Sequence, residues 1–295
     1  MNAPTRQPSR EDFRLNHRLR VRWAEVDMQR IVFNPHYLMY VDTAFTEYWR
    51  ALAIPYEVIP ELLGGDLYVK KSVLEYHASA RLDDLLDIGV KCARVGNTSM
   101  VFSSGIFRGD TLLVAGELVY VFADPATQKS KAVPPDLRML LDSYEAGVSP
   151  TDLRLGTWAE LGPEAGALRR EVFVDELHVP TGLQWDEQDQ DAVHVLVRNR
   201  MGQALATARL TQDGPGVARV ARVAVQRAMR ASGLGRTLMN ALMLAAAERG
   251  DTRMLLQSQC SAEGFYARLG FVPIGEPTVE GGIPHIDMAR TLIAL

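Results

Sequence analysis

Residues 219–250 constrain the fold more than any other stretch, because three local signals follow one another there. Val220-Ala221-Arg222-Val223-Ala224-Val225 is a short valine-rich run that reads as a strand. Arg230-Ala231-Ser232-Gly233-Leu234-Gly235 then forms a glycine-bearing turn. Residues 236–249 are rich in helix formers, with Leu238, Leu242, Ala245 and Ala246 at helical spacing and Gly250 where a terminating glycine belongs. A turn leading from a strand into a helix leaves backbone N–H groups unpaired at the positive end of the helix dipole. Such a corner attracts anions, and glycine lets a phosphate approach the backbone.

Charge follows the same pattern. Arg219, Arg222, Arg227, Arg230 and Arg236 fall in this stretch, and no Asp or Glu lies between Asp213 and Glu248. The whole chain has a formal net charge of -4, so the positive field is local. An anion site and a solvated basic rim on an ordinary strand–turn–helix both fit, since short glycine motifs recur by chance.

The Arg-x-x-Gly-x-Gly spacing between strand and helix resembles the coenzyme A pyrophosphate loop of the GNAT acetyltransferase superfamily. Downstream, Gly264-Phe265-Tyr266-Ala267-Arg268-Leu269-Gly270-Phe271 is similar to the segment that follows the last strands of that fold. The flanks Arg170-Glu171-Val172-Phe173-Val174 and Gly282-Ile283-Pro284-His285-Ile286 resemble its ElaA-like branch. The resemblance spans the second half of the chain. It implies coenzyme A or acetyl-CoA as cosubstrate and one-step attack of an amine, of unknown identity, on the thioester. Val223 and Val225 would line pantetheine through strand backbone groups. The amides of Arg230, Ala231, Ser232, Gly233, Leu234 and Gly235 would hold the pyrophosphate. Tyr266 would protonate the departing thiolate, or else be a buried aromatic with a satisfied hydroxyl. Glu176, Glu187, Asp189 and His285 are the candidates for the base. A lone histidine such as His285 or His194 reads equally as a packed residue.

The first half has a different grammar. Residues 1–16 read as a loose arm, and residues 17–23 alternate as a half-buried strand. After a loop, Pro35 opens a helix to about Leu52 with a narrow polar stripe of Asp42, Thr43, Thr46, Glu47 and Arg50. Such a wide apolar face, Leu38 included, belongs to a helix wrapped on most sides. Residues 67–80, 87–95, 99–108 and 111–123 read as strands separated by turn residues. One helix followed by an antiparallel sheet makes an α+β sandwich in which the sheet curls around the helix.

Asp27 precedes that helix, which begins near Asn34-Pro35-His36-Tyr37. A carboxylate facing free helix amides is a hydrolytic pair: one activates water or attacks, the other polarises a carbonyl. The plainer alternative is a loop aspartate capping local backbone. Residues 23–37 resemble the signature of hotdog-fold acyl-CoA thioesterases, the 4-hydroxybenzoyl-CoA and YbgC-like group, over about residues 15–145. The resemblance places the catalytic aspartate at Asp27 and the polarising amide at Asn34. His36 and Tyr37 are the candidates for substrate contact; a histidine in a first helical turn reads otherwise as structural or exposed. This chain departs from the family at Arg30, where glycine is usual.

Gly147-Val148-Ser149-Pro150 reads as the linker, giving a hotdog domain over residues 1–148 and a GNAT α/β domain over 149–295. In the second, residues 162–174 read as helix and residues 192–197 and 202–210 as a hairpin. With hydrophobic residues at 47% and charged residues at 23%, the composition is that of a soluble globular chain. The net charge argues against nucleic acid as a partner. Two cysteines build no disulfide framework, and Cys92 alternates inward with Ile88 and Val90. No apolar run spans a membrane and no signal peptide is evident, so the expected location is the cytoplasm, without metal. The resemblance further implies a homo-oligomer, a dimer or tetramer through the hotdog domain. The expected function is therefore acyl-CoA hydrolysis in the first half and acyl transfer to an amine in the second. The alternative is a coenzyme A-binding or sensing protein with one half inactive.

Overall fold

Proline at the first helical position lacks an N–H that would find no partner there anyway, and Pro35 accordingly opens α1 (Pro35–Ala51). In this computed structural model, which describes residues 7–183, 185–280 and 282–292, contacts divide the chain into two compact units, Met1–Pro150 and Thr151–Leu295. α1 is the core of the first. Around it curls a five-stranded antiparallel sheet of β1 (Leu15–Arg20), β2 (Asp66–Tyr76), β3 (Leu85–Val95), β4 (Ser99–Arg108) and β5 (Thr111–Ala123), ordered β1-β3-β4-β5-β2. A short α2 (Ile59–Leu63) and a closing α3 (Pro135–Glu145) complete the unit.

Aromatic packing fixes the helix on the sheet. Phe45 stacks on Tyr120 at 4.2 Å and meets Phe102 edge-on at 5.0 Å. Such pairs contribute about 0.5–1.5 kcal/mol each beyond burial. The Glu145 carboxylate at the end of α3 accepts from the Tyr48 hydroxyl at 2.5 Å and the Cys92 amide at 2.9 Å. Burial pushes the half-buried Cys92 thiol up to about 12, so it stays protonated.

Three expectations fail here. The arm is not loose where it is described. Residues 1–6 lie outside the described residues, but Phe13 is buried and β1 has begun by Leu15. Gly89 and Gly105 face each other across β3 and β4, and a Cβ on Gly89 would lie 2.3 Å from the Phe13 ring. The two glycines make the slot that the ring fills. Trp23 does not continue β1; it sits in a 3-10 turn, 80% exposed. Leu38 is exposed, together with Met39, so the apolar face of α1 is narrower than its sequence suggests.

The second unit is a seven-stranded sheet of order β11-β12-β10-β9-β8-β7-β6. Its strands are β6 (Thr151–Gly156), β7 (Val193–Asn199), β8 (Ala204–Gly214), β9 (Val217–Val225), β10 (Arg253–Gln259), β11 (Val272–Glu280) and β12 (Ile283–Thr291). All neighbours are antiparallel except β9 and β10, which α5 (Leu234–Glu248) connects. α6 (Glu263–Ala267) follows β10.

α4 (Trp158–Arg169) corrects the helix expected over residues 162–174. It starts earlier because Glu160 accepts the Thr157 amide and hydroxyl, both at 2.8 Å, a capping arrangement. Pro163, which invites a later start, lies inside the helix. A π-helical turn, Arg170–Glu176, continues it. Leu161 and Ala165 of α4 pack on Leu196 of β7, and Leu168 packs with Ala224 of β9.

Candidate active sites

In the first unit, a bridge between Val26 and Val32 closes the loop that precedes α1. The Asp27 amide donates to the Ile31 carbonyl and the Arg30 amide to the Asp27 carbonyl, both at 2.9 Å. One Asp27 carboxylate oxygen accepts the Gln29 amide at 2.8 Å, while the other has no hydrogen bond among the described residues. The side chain is half-buried. Arg30 has φ 61°, the left-handed region that glycine enters freely. An arginine holds that conformation at a cost of about 1–2 kcal/mol.

The helix end beside it is selective about which amide is free. Pro35 has none, the His36 amide donates to the Phe33 carbonyl at 2.9 Å, and the Tyr37 amide donates to the Asn34 carbonyl at 3.3 Å. The Asn34 N–H has no partner among the described residues. His36 is half-buried, edge-on to Phe33, with its Nδ1 buried and unpartnered among those residues. Tyr37 turns the other way. It is 2% exposed, packs against Tyr40 and Tyr76, and its hydroxyl accepts the Ala80 amide at 2.8 Å. Tyr37 therefore braces the helix, its hydroxyl engaged as an acceptor by the Ala80 amide.

Sequence reasoning missed Glu25. Its buried carboxylate accepts from the Arg22 amide at 2.8 Å and the Tyr40 hydroxyl at 2.7 Å, and its carbonyl accepts the Phe33 amide at 2.9 Å. Burial pushes this carboxyl up, but the Arg22 and Tyr40 hydrogen bonds outweigh it and leave the net shift downward. Glu25 ties the loop to α1, and its signal was a capping spacing from Arg22 that looks unremarkable in sequence.

In the second unit, β9 and β10 pair only from Val217 to Val220 against Arg253 to Leu256. Beyond that they part. On its other side β9 bulges: the register against β8 shifts between Ala221 and Ala224, and Arg222 has φ 54°. The parted ends carry the half-buried Val223 and Val225 on one side and Gln257–Gln259 on the other.

Past β9, Ala231 and Gly233 both have left-handed backbones, with φ 64° and 93°. Ser232 between them donates its hydroxyl to the Met229 carbonyl at 2.6 Å. The N-terminus of α5 has no side-chain cap, so its first amides stay free for a ligand. A Cβ on Gly233 would meet nothing within 4 Å, whereas one on Gly235 would lie 3.1 Å from Phe265. Gly233 thus faces open space, while Gly235 lets α5 sit close to α6. Leu234 is buried, so it offers only its amide. The Arg230 guanidinium grips Glu176 at 2.7 and 2.6 Å.

That grip bears on the base. The Arg230 hydrogen bond holds the Glu176 carboxyl below the usual range and makes it a weak proton acceptor. Asp189 is buried, one oxygen taken by Arg169 at 2.8 Å and Arg209 at 2.9 Å. Glu187 stands exposed in a 3-10 turn. His194 has no exposed surface; its Nε2 donates to the Asp189 carbonyl at 2.9 Å and its Nδ1 accepts from Arg169 at 3.1 Å. Burial keeps that ring neutral by pushing its pKa down. Tyr266 is 7% exposed against Phe265 and Phe271, and burial pushes its phenol up to about 12.

A helix wrapped by a curled antiparallel sheet, and a mixed sheet whose β9 and β10 part ahead of an uncapped helix N-terminus, define two separate folds. The model of the acetyltransferase (GNAT) domain matches residues 157–292, and that of the thioesterase superfamily residues 29–115. The uncharacterized N-acetyltransferase YjcF of Bacillus subtilis is 32% identical over 128 residues, covering 43% of this chain and 90% of that protein. The acyl-CoA thioester hydrolase YbgC of Escherichia coli O157:H7 is 31% identical over 117 residues, covering 39% of this chain and 87% of that protein. A solved acyl-CoA N-acyltransferase from Pseudomonas aeruginosa is 35% identical, covering 48% of this chain and 99% of its own, with a TM-score of 0.43. The chain belongs to the thioesterase superfamily through its first half and to the GNAT acetyltransferase family through its second. Among the described residues no helix is long and apolar enough to cross a membrane.

Proposed function

We propose that the chain is a two-part acyl-CoA enzyme, with residues 1–148 hydrolysing an acyl-CoA to acid and free CoA and residues 149–295 transferring an acetyl or acyl group to an amine. The observation that carries this is the half-buried Asp27 carboxylate, with one oxygen unengaged among the described residues, in the bridged loop that leads into a helix end whose free amide is Asn34. Asp27 activates water or attacks the thioester carbonyl, and the Asn34 N–H takes up the charge that develops on its oxygen. His36 contacts the substrate. Exposed Trp23, Met28 and Phe33 offer apolar surface around the loop for an acyl chain or a second subunit. The edge strand β2, with Val69, Val73 and Tyr76 exposed, supports a homo-oligomer built through this half. We place the enzyme in the cytoplasm. Hydrolysis across an acyl-CoA panel, read as free thiol, tests the first activity; no turnover of any acyl-CoA would sink it.

In the second half, the backbone of Val223 and Val225 receives pantetheine where β9 leaves β10, and the amides of Arg230–Gly235 hold the pyrophosphate. Gly233→Glu sets a side chain and a negative charge where the phosphates approach, on a backbone that costs a non-glycine residue about 1–2 kcal/mol. The expected result is at least about a tenfold weaker CoA affinity, equal to about 1.4 kcal/mol, by calorimetry on the 151–295 fragment. Unchanged affinity would remove the loop from the site.

Tyr266 keeps its proton across neutral pH, because burial raises the phenol, and it delivers that proton to the departing thiolate. Tyr266→Phe is expected to lower kcat with little change in acetyl-CoA affinity, since the hydroxyl is needed only as the thiolate forms. Equal turnover at saturation would take Tyr266 out of the mechanism. The rival reading, a CoA-binding or sensing protein with this half inactive, draws on the engaged state of Glu176 and Asp189. Acetylated product from any amine decides against it.

A further inference from the structure

Resting on the acyl-transfer reading, we propose that His285 is the general base that takes the proton from the attacking amine. Three features of the fold converge on it. The first is its level in the sheet. His285 pairs with Gln259, three residues beyond the last contact of β10 with β9. At about 3.3 Å per residue this is the stretch where the two strands have parted, level with Val223 on β9.

The second is its face. Directly paired residues share a face of a sheet, and residues two apart on a strand share it too. His285 pairs with Gln259, which shares its face with Leu255; Leu255 pairs with Arg219, which shares its face with Ala221; Ala221 pairs with Arg209. Arg209 meets the same Asp189 oxygen as Arg169 of α4. His285 therefore lies on the α4 face of the opening.

The third is its tautomer. The Nδ1 of His285 lies 2.8 Å from the Ile283 carbonyl, which only accepts, so Nδ1 carries the proton. Nε2 is left with a lone pair and no hydrogen bond among the described residues. The ring is half-buried. His194, by contrast, has both nitrogens engaged, Glu176 holds Arg230, and Asp189 holds two arginines. The titratable groups on the adjoining elements are Asp287, on its own face of β12, Glu276 of β11, Cys260 and Glu263 just after β10, and Arg219 of β9, paired with Asp213.

The amine lone pair forms the C–N bond and His285 Nε2 takes the N–H proton. The C–S pair leaves with sulfur, which takes the Tyr266 proton, and exchange with water restores both side chains.

The test uses the full chain, acetyl-CoA and a panel of primary amines (a polyamine, free amino acids, a peptide with a free N-terminus), with acetylated amine read by mass spectrometry. His285→Gln is expected to lower kcat about 10²-fold or more while CoA affinity is kept. The acid limb of kcat/KM that a histidine base imposes should vanish, and added imidazole should restore part of the rate. His285→Asn keeps a donor for the Ile283 carbonyl and should show the same loss, which separates chemistry from local unfolding. Either variant retaining kcat within about threefold, or retaining the parent's acid limb, overturns the base assignment and leaves acyl transfer standing. A parent chain that acetylates no amine overturns the transfer reading, and the inference with it.

Discussion

Replacing Asp27 with asparagine is expected to lower thioester hydrolysis by roughly 10²–10⁴-fold, the range for losing a general base, or by more if the carboxylate attacks directly. The substitution isolates chemistry from structure. Asparagine keeps a side-chain oxygen that accepts the Gln29 amide, now met at 2.8 Å, so the turn persists. The backbone bonds from Asp27 to Ile31 and from Arg30 to Asp27 do not involve the side chain. The Asn34 N–H remains free to polarise the carbonyl, so a residual rate over solution is expected. The measurement is kcat on the best acyl-CoA, with circular dichroism as the folding control. A folded variant within about threefold of the parent would leave Asp27 a capping residue.

Asp189→Asn is expected to destabilise the second unit by about 3–5 kcal/mol, because it leaves buried positive charge without its partner. The loss falls on Arg169, which has no exposed surface and whose carboxylate partner is Asp189. Arg209 retains Asp186, which it and Arg222 both engage. Trp158 lies over the Arg169 guanidinium at 5.0 Å and against His194 at 4.9 Å, so indole fluorescence follows this cluster during denaturation. A contrast comes from the exposed Arg230–Glu176 pair, where Glu176→Gln should change stability by less than about 1 kcal/mol. Similar small shifts from both substitutions would show that the Asp189 cluster is not a fixed part of the fold.

The two architectures were legible because each half repeats its own local signal. Pro35 and a single polar stripe marked α1, and the valine run with Gly233 and Gly250 marked β9, α5 and the turn between them. What stayed hidden depends on contacts distant in sequence. The Arg222 bulge leaves no trace in an unbroken apolar run, since the extra residue shows only against β8. Phe13 looks like an arm residue until Gly89 and Gly105 are seen to open a slot beneath it. Pro163 masks the true start of α4 because its local preference is outweighed by packing of Leu161 and Ala165 on β7. Arg209 had a readable signal. It shares its face with buried Leu205 and Thr207 in a strand buried on both faces, where a charge requires a partner. Tyr37 follows the signature residue Asn34 at helical spacing, yet faces the core because the Ala80 amide needs an acceptor.

The central claim is that one chain houses two separable acyl-CoA reactions. It is tested most directly by giving the parent, Asp27→Asn and Tyr266→Phe the same acyl-CoA with an amine acceptor, and measuring free acid and acylated amine in one reaction. Asp27→Asn is expected to lose the acid and keep the amide, while Tyr266→Phe loses the amide and keeps the acid. Loss of both products in either variant, or of neither in both, would contradict it.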